Sequence, residues 1–214
     1  MANLRGRGIS VEIAATFGTV EPCTAVTTAN PGVATSASHA LNNDDVGYFS
    51  TVTGMVQLEG QACRVKNKAT NTFELQGLNT TAYSTFTGGD FTPAASWSVL
   101  GEATRVAIGG GAGTKLPATT LLDVIEKTEQ GNLPAQTVTI DILSQTSPSA
   151  AMLLLIAAAQ SSGKVLMRVR DTSSGAVRIF YGEPSLPGED LGVGALATGS
   201  FDVAVKGYVL ALAA

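Results

Sequence analysis

Charge is what this sequence has least of. Only 14% of its 214 residues are Asp, Glu, Lys or Arg. Histidine occurs once, at position 39, and cysteine twice, at positions 23 and 63. Each shortage excludes something. A single imidazole cannot build a multi-histidine metal site, and only His39 could serve a Ser-His-Asp triad. Two cysteines without a CxxC spacing cannot make a disulfide framework, so both are read as free thiols. No apolar run reaches the 18 or more residues of a helical membrane span. The opening MANLRGRGIS has no apolar segment of the kind a secretory signal needs. The net charge of −4 argues against a nucleic-acid reader, which would carry a basic face. So little charge on a chain able to bury roughly 70% of its unfolded surface points to a surface covered by other subunits.

What is present is Gly, Thr, Ser and Ala, organised around Thr120 to Ser144, TLLDVIEKTEQGNLPAQTVTIDILS. In its second half Val138, Ile140 and Ile142 alternate with Thr137, Thr139 and Asp141, the period of a strand with one apolar and one polar face. In its first half Leu122 and Val124 share one face, and Asp123, Lys127 and Glu129 the other. The break at Gln130 to Pro134 separates the two. The expectation is one long antiparallel hairpin. Its polar residues, Asp123, Lys127, Glu129, Thr137, Thr139 and Asp141, are the candidate functional face.

Around it, Ile9, Val11 and Ile13 alternate as a first strand. From Cys23 the texture changes to short strand candidates at Ala25–Thr28, Gly47–Val52, Gln61–Lys66 and Thr72–Gln76, parted by turn signals such as Asn30-Pro31-Gly32. Trp97 to Ile108 reads as extended, and Gly109 to Gly113 as a flexible connection. Ser147 as N-cap and Pro148 at the first helical position start a helix over Ala150–Gln160, which Gly163 stops. It is apolar nearly all round and should be covered on several sides. Val165 to Tyr181 forms a second hairpin about Thr172-Ser173-Ser174-Gly175. Gly182 to Gly199 is a long connection, expected to order only between subunits. Phe201, Val203 and Val205 mark a last strand, and the apolar segment from Tyr208 to Leu212 needs a cover.

A search for chemistry finds none. GGGAGTK at 109–115 misses the phosphate-loop pattern, because Thr114 separates Gly113 from Lys115. Asn79-Thr80-Thr81 reads as a turn. Cys63 reads as a small packed residue, and His39 as structural. Arg168, Arg170 and Arg178 are expected to pair across strands with acids. No acid pair, metal cluster or cofactor fingerprint emerges, so no enzyme is expected.

The order of IEKTEQGNLPAQTVTIDIL, the helix, the Arg168–Tyr181 hairpin and FDVAVKG resembles the tail tube (major tail) proteins of long-tailed bacteriophages. The likeness covers Trp97 to Ala214 and, loosely, Asn3 to Ile13. It implies a mainly β fold: a β-sandwich flanked by one α-helix, with a long hairpin joining an intersubunit β-barrel. It implies homo-hexameric rings stacked into a conduit for genomic DNA, without sequence-specific binding and without cofactors. Tape measure, terminator and tip proteins are the implied partners, in the virion tail and, during assembly, in the host cytoplasm.

Ala25 to Asp90 is similar to a small β module of phage structural proteins, one labelled after the first catalytic-cysteine half-domain of ubiquitin-activating enzymes. The residues that carry this are Ala29-Asn30-Pro31, Ser38-His39-Ala40-Leu41, Val52-Thr53-Gly54-Met55, Arg64-Val65, Asn71 to Leu75, Asn79-Thr80-Thr81, Tyr83 and Gly88-Gly89. Cys63 matches no nucleophile. The expected organisation is thus a tube β-sandwich from 1–22 and 91–214, and an inserted, barrel-like all-β module at 23–90 that a linker could replace without loss of assembly. The rival reading is an adhesive or carbohydrate-binding β protein.

Overall fold

The structure, a computed structural model, describes residues 8–110, 113–119, 125–131, 134–193 and 196–213. It is mainly β, with one α-helix. In chain order the strands are β1 (Ile9–Phe17), β2 (Glu21–Cys23), β3 (Ala25–Val26), β4 (Val33–Thr35), β5 (Val46–Thr53), β6 (Ala62–Lys66), β7 (Thr72–Leu75), β8 (Gly88–Val99), β9 (Ala103–Gly109), β10 (Lys115–Pro117), β11 (Thr128–Gln130) and β12 (Thr137–Leu143). Helix α1 (Ala150–Gln160) follows, then β13 (Val165–Asp171), β14 (Val177–Pro184), β15 (Gly188–Asp190), β16 (Thr198–Val205) and β17 (Leu210–Leu212).

One antiparallel sheet runs β3-β4-β7-β6-β5-β8-β1-β13-β14-β16-β12-β9. Its second half folds back on itself as a sandwich. Val11 and Ile13 of β1 and Val165, Met167 and Val169 of β13 share a core with Val138, Ile140 and Ile142 of β12 and Phe201, Val203 and Val205 of β16. The alternation read from the sequence is therefore obeyed. The apolar set of β12 is buried and the polar set is not.

The long hairpin over Thr120 to Ser144 does not form. β12 pairs in full with β16 on one side and with β9 on the other. Thr128–Gln130 pairs instead with Lys115–Pro117 in a separate two-stranded ribbon. The reason is burial. Phe201, Val203 and Val205 offer β12 an alternating apolar face, whereas Glu126 to Gln130 offers almost none, and strands pair where both can bury one side. Residues 120–124, including Leu122, Asp123 and Val124, lie outside the described residues. The extended reading of Trp97 to Ile108 also changes. It is two strands, β8 and β9, split by a turn at Leu100–Glu102 in which Leu100 is buried.

Helix α1 has the bounds expected, but its N-cap is Ser149, not Ser147. Ser149 Oγ accepts from the Met152 N–H at 3.2 Å. The capping group is itself held by Glu102, a buried carboxylate that accepts from Ser149 N–H at 2.5 Å and Ser149 Oγ–H at 2.7 Å. Burial resists ionisation of Glu102. The hydrogen bonds from Ser149 outweigh it and hold the carboxyl below the usual glutamate range. A depressed carboxylate stabilises the fold above its unfolded pKa, and that contribution disappears as pH falls through the folded value. Glu102→Gln is therefore expected to cost about 1–3 kcal/mol at pH 7. The gap to wild type should narrow below pH 4.5, as read by urea melts at pH 7 and pH 3. A gap that stays constant with pH would show that the charge of Glu102 is not what anchors α1. The helix is not covered on several sides. Ala151, Met152 and Leu155 are buried, while Leu153 and Leu154 face outward.

Residues from Cys23 to Phe91 build a second core around Phe49, Phe73 and Phe91. Both cysteines are in it as buried free thiols. Burial pushes the Cys23 thiol up to about 12 and that of Cys63 higher, so neither is a nucleophile. His39 sits edge-on to Phe73 with Nε2 3.3 Å from the Thr72 carbonyl oxygen, a packing role. Thr80 Oγ is buried and donates its one hydrogen to the Thr27 carbonyl at 2.7 Å, with the Ala29 carbonyl 2.9 Å away, and Thr81 N–H donates to Asn79 Oδ1, the turn expected there.

A third cluster lies between these two cores. Val46 and Ala62 meet Ala14, Leu166, Val177, Ile179 and Leu212. Tyr48 stacks on Tyr181 with ring centroids 4.0 Å apart. Gln61 donates to the Tyr208 carbonyl at 3.2 Å and accepts from its N–H at 2.8 Å. Arg64 donates to the Ala213 carbonyl at 2.8 Å. Gly77 has φ +73°, a left-handed backbone that favours glycine, and it lies against the Leu212 side chain of β17. β8 itself pairs with β2 and β5 at one end and with β1 at the other. Within the chain this covers Leu212 and half-buries Val209 and Leu210, while Tyr208 stays exposed.

Candidate functional site: a polar sheet face with an open edge

β9, β12 and β16 present one polar face. Across it Thr139 stands opposite Ala107 and Asp202, Asp141 opposite Arg105 and Ser200, and Thr137 opposite Gly109 and Ala204. Thr139 Oγ donates to Asp202 Oδ1 at 2.6 Å. Arg105 Nη1 lies 3.2 Å from Asp141 Oδ2, and Thr104 Oγ donates to the Asp141 carbonyl at 3.0 Å. Beside Asp141 an open cleft of about 570 Å³ is bordered by Thr104, Glu189, Asp190 and Ser200. With Asp141 and Asp202 on the face, Glu189 and Asp190 at the cleft, and Arg105 as the cation, this surface is wet and net negative.

Of the six candidates, the structure brings together Thr137, Thr139 and Asp141. Lys127 and Glu129 belong to the β10–β11 ribbon and its approach. Lys127 N–H donates to Thr119 Oγ at 2.9 Å, and Glu129 stands opposite Leu116. Asp123 lies outside the described residues. Reading the sequence missed Arg105, Ser200 and Asp202. Asp202 had a signal, since it alternates with Phe201 and Val203. Arg105 had none until β9 was placed beside β12.

The face ends in an open edge. β9 terminates the sheet, and seven residues of backbone, Ala103–Gly109, have no strand on their outer side among the described residues. The opposite end, β3, is only two residues long. A long unprotected edge is a template for another strand, and natural proteins blunt or cover it unless pairing is its purpose. The remaining chemistry is bland. Among the described residues no three of His, Cys, Asp or Glu could hold a metal ion, and no helix is long and apolar enough to cross a membrane. Arg168 and Arg170 pair with Glu12, the ion-pairing role expected of them.

A polar sheet face that ends in an open pairing edge suits a β protein that adds strands from other chains. Comparison with protein families is consistent: a model of phage tail tube proteins matches residues 53–180. The chain belongs to the phage tail tube protein family and is a structural protein of the phage tail. No curated protein matches it. The family match begins at the end of β5 and ends inside β14, so it spans β12 and α1 but not β16, whose FDVAVKG also carried the resemblance in the sequence.

Proposed function

We propose that this protein polymerises as hexameric rings that stack into the tail tube, and that the β9–β12–β16 face lines the channel through which DNA is delivered. The observation that carries this reading is the union of that polar face with the open β9 edge. A strand from the next copy added at Ala103–Gly109 would continue the sheet from subunit to subunit. Repeated six times, it would close a barrel whose inner wall carries Thr137, Thr139, Asp141, Ser200 and Asp202. Residues 1–22 and 91–214 form the tube domain in this reading, and 23–90 is an inserted β module on the outer wall. Assembly takes place in the host cytoplasm, with the proteins that set tube length and close its two ends as partners.

Duplex DNA carries one negative charge per about 1.7 Å of axis, and each basic contact to it releases counterions and strengthens binding. A conduit should therefore hold its cations back from the duplex, as Asp141 holds Arg105. Asp141→Lys both adds a cation and frees Arg105, repeated around every ring. Tubes are expected to form with the wild-type thermal melt. DNA passage should slow by tenfold or more at low salt and recover as salt screens the new attraction. Negative-stain microscopy checks the tubes and timed ejection checks the rate. Normal tubes that eject at the wild-type rate in low salt would remove this face from the channel wall. Dispersed monomers of the wild-type chain with affinity for glycans would favour the adhesive alternative.

A further inference from the structure

Among the described residues, two exposed apolar surfaces suit each other. The first is on α1. Ala150, Leu153, Leu154 and Ala157 recur at i, i+3, i+4 and i+7 and so share one face. Leu153 is 56% exposed and Leu154 37%. A helix at a protein surface normally turns charged residues outward. Here no charged residue occurs between Ser144 and Gly163. The second is the connection from β14 to β16. Leu191 and Leu196 are 72% and 78% exposed. The base of that connection is anchored. β15 pairs with β16, Glu189 accepts from Ser144 Oγ at 3.3 Å, and Pro187 borders a small cavity shared with Pro148, Met152 and Ile156. The leucines are thus carried on a fixed support, and within the chain they do not cover α1.

We infer that the α1 stripe of one copy seats Leu191 and Leu196 of the next copy. This rests on the self-assembly reading above and names one contact within it. A second copy is the occupant because each chain carries both halves and belongs to a family named for the tube it builds. Charge at the rim agrees. Exposed Asp190 adjoins Leu191, and exposed Lys164, which also acts on Glu183 of its own chain, follows the C-terminal end of α1, so the two surfaces carry charges of opposite sign beside their leucines. Stripe and loop are different surfaces, so the contact is heterologous. It passes from copy to copy and does not close on a pair. Standard stable interfaces bury about 800 Å² per partner, so this contact works beside the β9 edge.

The test uses the full chain. Leu153→Glu with Leu154→Glu changes only outward-facing side chains and should keep the wild-type circular dichroism and melt. It should raise the concentration needed for assembly at least tenfold. Separately, Leu154→Cys with Leu191→Cys places two accessible thiols in a protein whose own cysteines are buried. Oxidation of the assembled protein is expected to give a covalent ladder beyond the dimer on a non-reducing gel. Tubes with no ladder, and unchanged assembly of the glutamate variant, would overturn this contact and leave the tube reading intact. A ladder from particles that are not tubes would keep the contact and overturn the tube. A disulfide formed within one chain, or cross-linking that stops at dimers, would overturn the contact.

Discussion

Replacing residues 25–90 with a Gly/Ser linker is expected to abolish cooperative folding of what remains. The separate texture of that segment predicted the opposite, that it could be lost without consequence for assembly. The structure changes the expectation because the segment covers part of the sandwich. Its removal takes Tyr48 off Tyr181, a stack worth about 0.5–1.5 kcal/mol beyond its area. It removes both hydrogen bonds of Gln61 to Tyr208, about 1 kcal/mol each. It uncovers Leu212, about 1.5–3 kcal/mol. It also shortens β8, which braces both parts. Together these approach the lower part of the 5–15 kcal/mol that holds an ordinary domain folded. Circular dichroism during a thermal ramp reads the outcome. A single sharp transition at the wild-type midpoint would show that the segment is independent of the sandwich.

Glu12→Ala is expected to cost about 3–5 kcal/mol, the usual penalty for removing one partner of a buried ion pair. Glu12 is buried at the join of β1, β8 and β13. It accepts from Arg168 Nε at 2.6 Å and from Ser10 Oγ at 3.1 Å, and Arg170 Nη2 lies 3.4 Å away. Arg168 also lies over Trp97, 4.1 Å from the ring centroid. Without Glu12 the guanidinium groups of half-buried Arg168 and exposed Arg170 are left side by side with no anion between them. Arg168→Ala should cost less than the two interactions it removes, because the remaining carboxylate can still turn to Arg170. A double-mutant cycle by urea unfolding gives the coupling, expected at about 2 kcal/mol or more for a buried charge pair. The coupling should survive 1 M salt, because ions screen buried pairs poorly. A Glu12→Ala cost under about 1 kcal/mol would mean the cluster is solvated.

What the sequence determined by itself is local. Period-two alternation marked β1, β12, β13, β14 and β16, because a side chain's face in a strand depends only on its parity. Ala, Leu and Met over Ala150–Gln160 marked the helix, because propensity acts through neighbours a turn apart. The polar side of Thr137, Thr139 and Asp141 was legible for the same reason, and so was the packed place of Cys63.

Tertiary structure alone decided which strands meet. Thr120 to Glu129 stood next to β12 in the chain, yet β9 and β16 flank it, because pairing follows the apolar faces that can be buried together. That choice placed Arg105 and Asp202 beside Asp141 and Thr139, and left the backbone of β9 as the open edge. It likewise decided that Leu153 and Leu154 stay uncovered. Apolar pattern states that a side chain should be buried, but only the packed fold states by what.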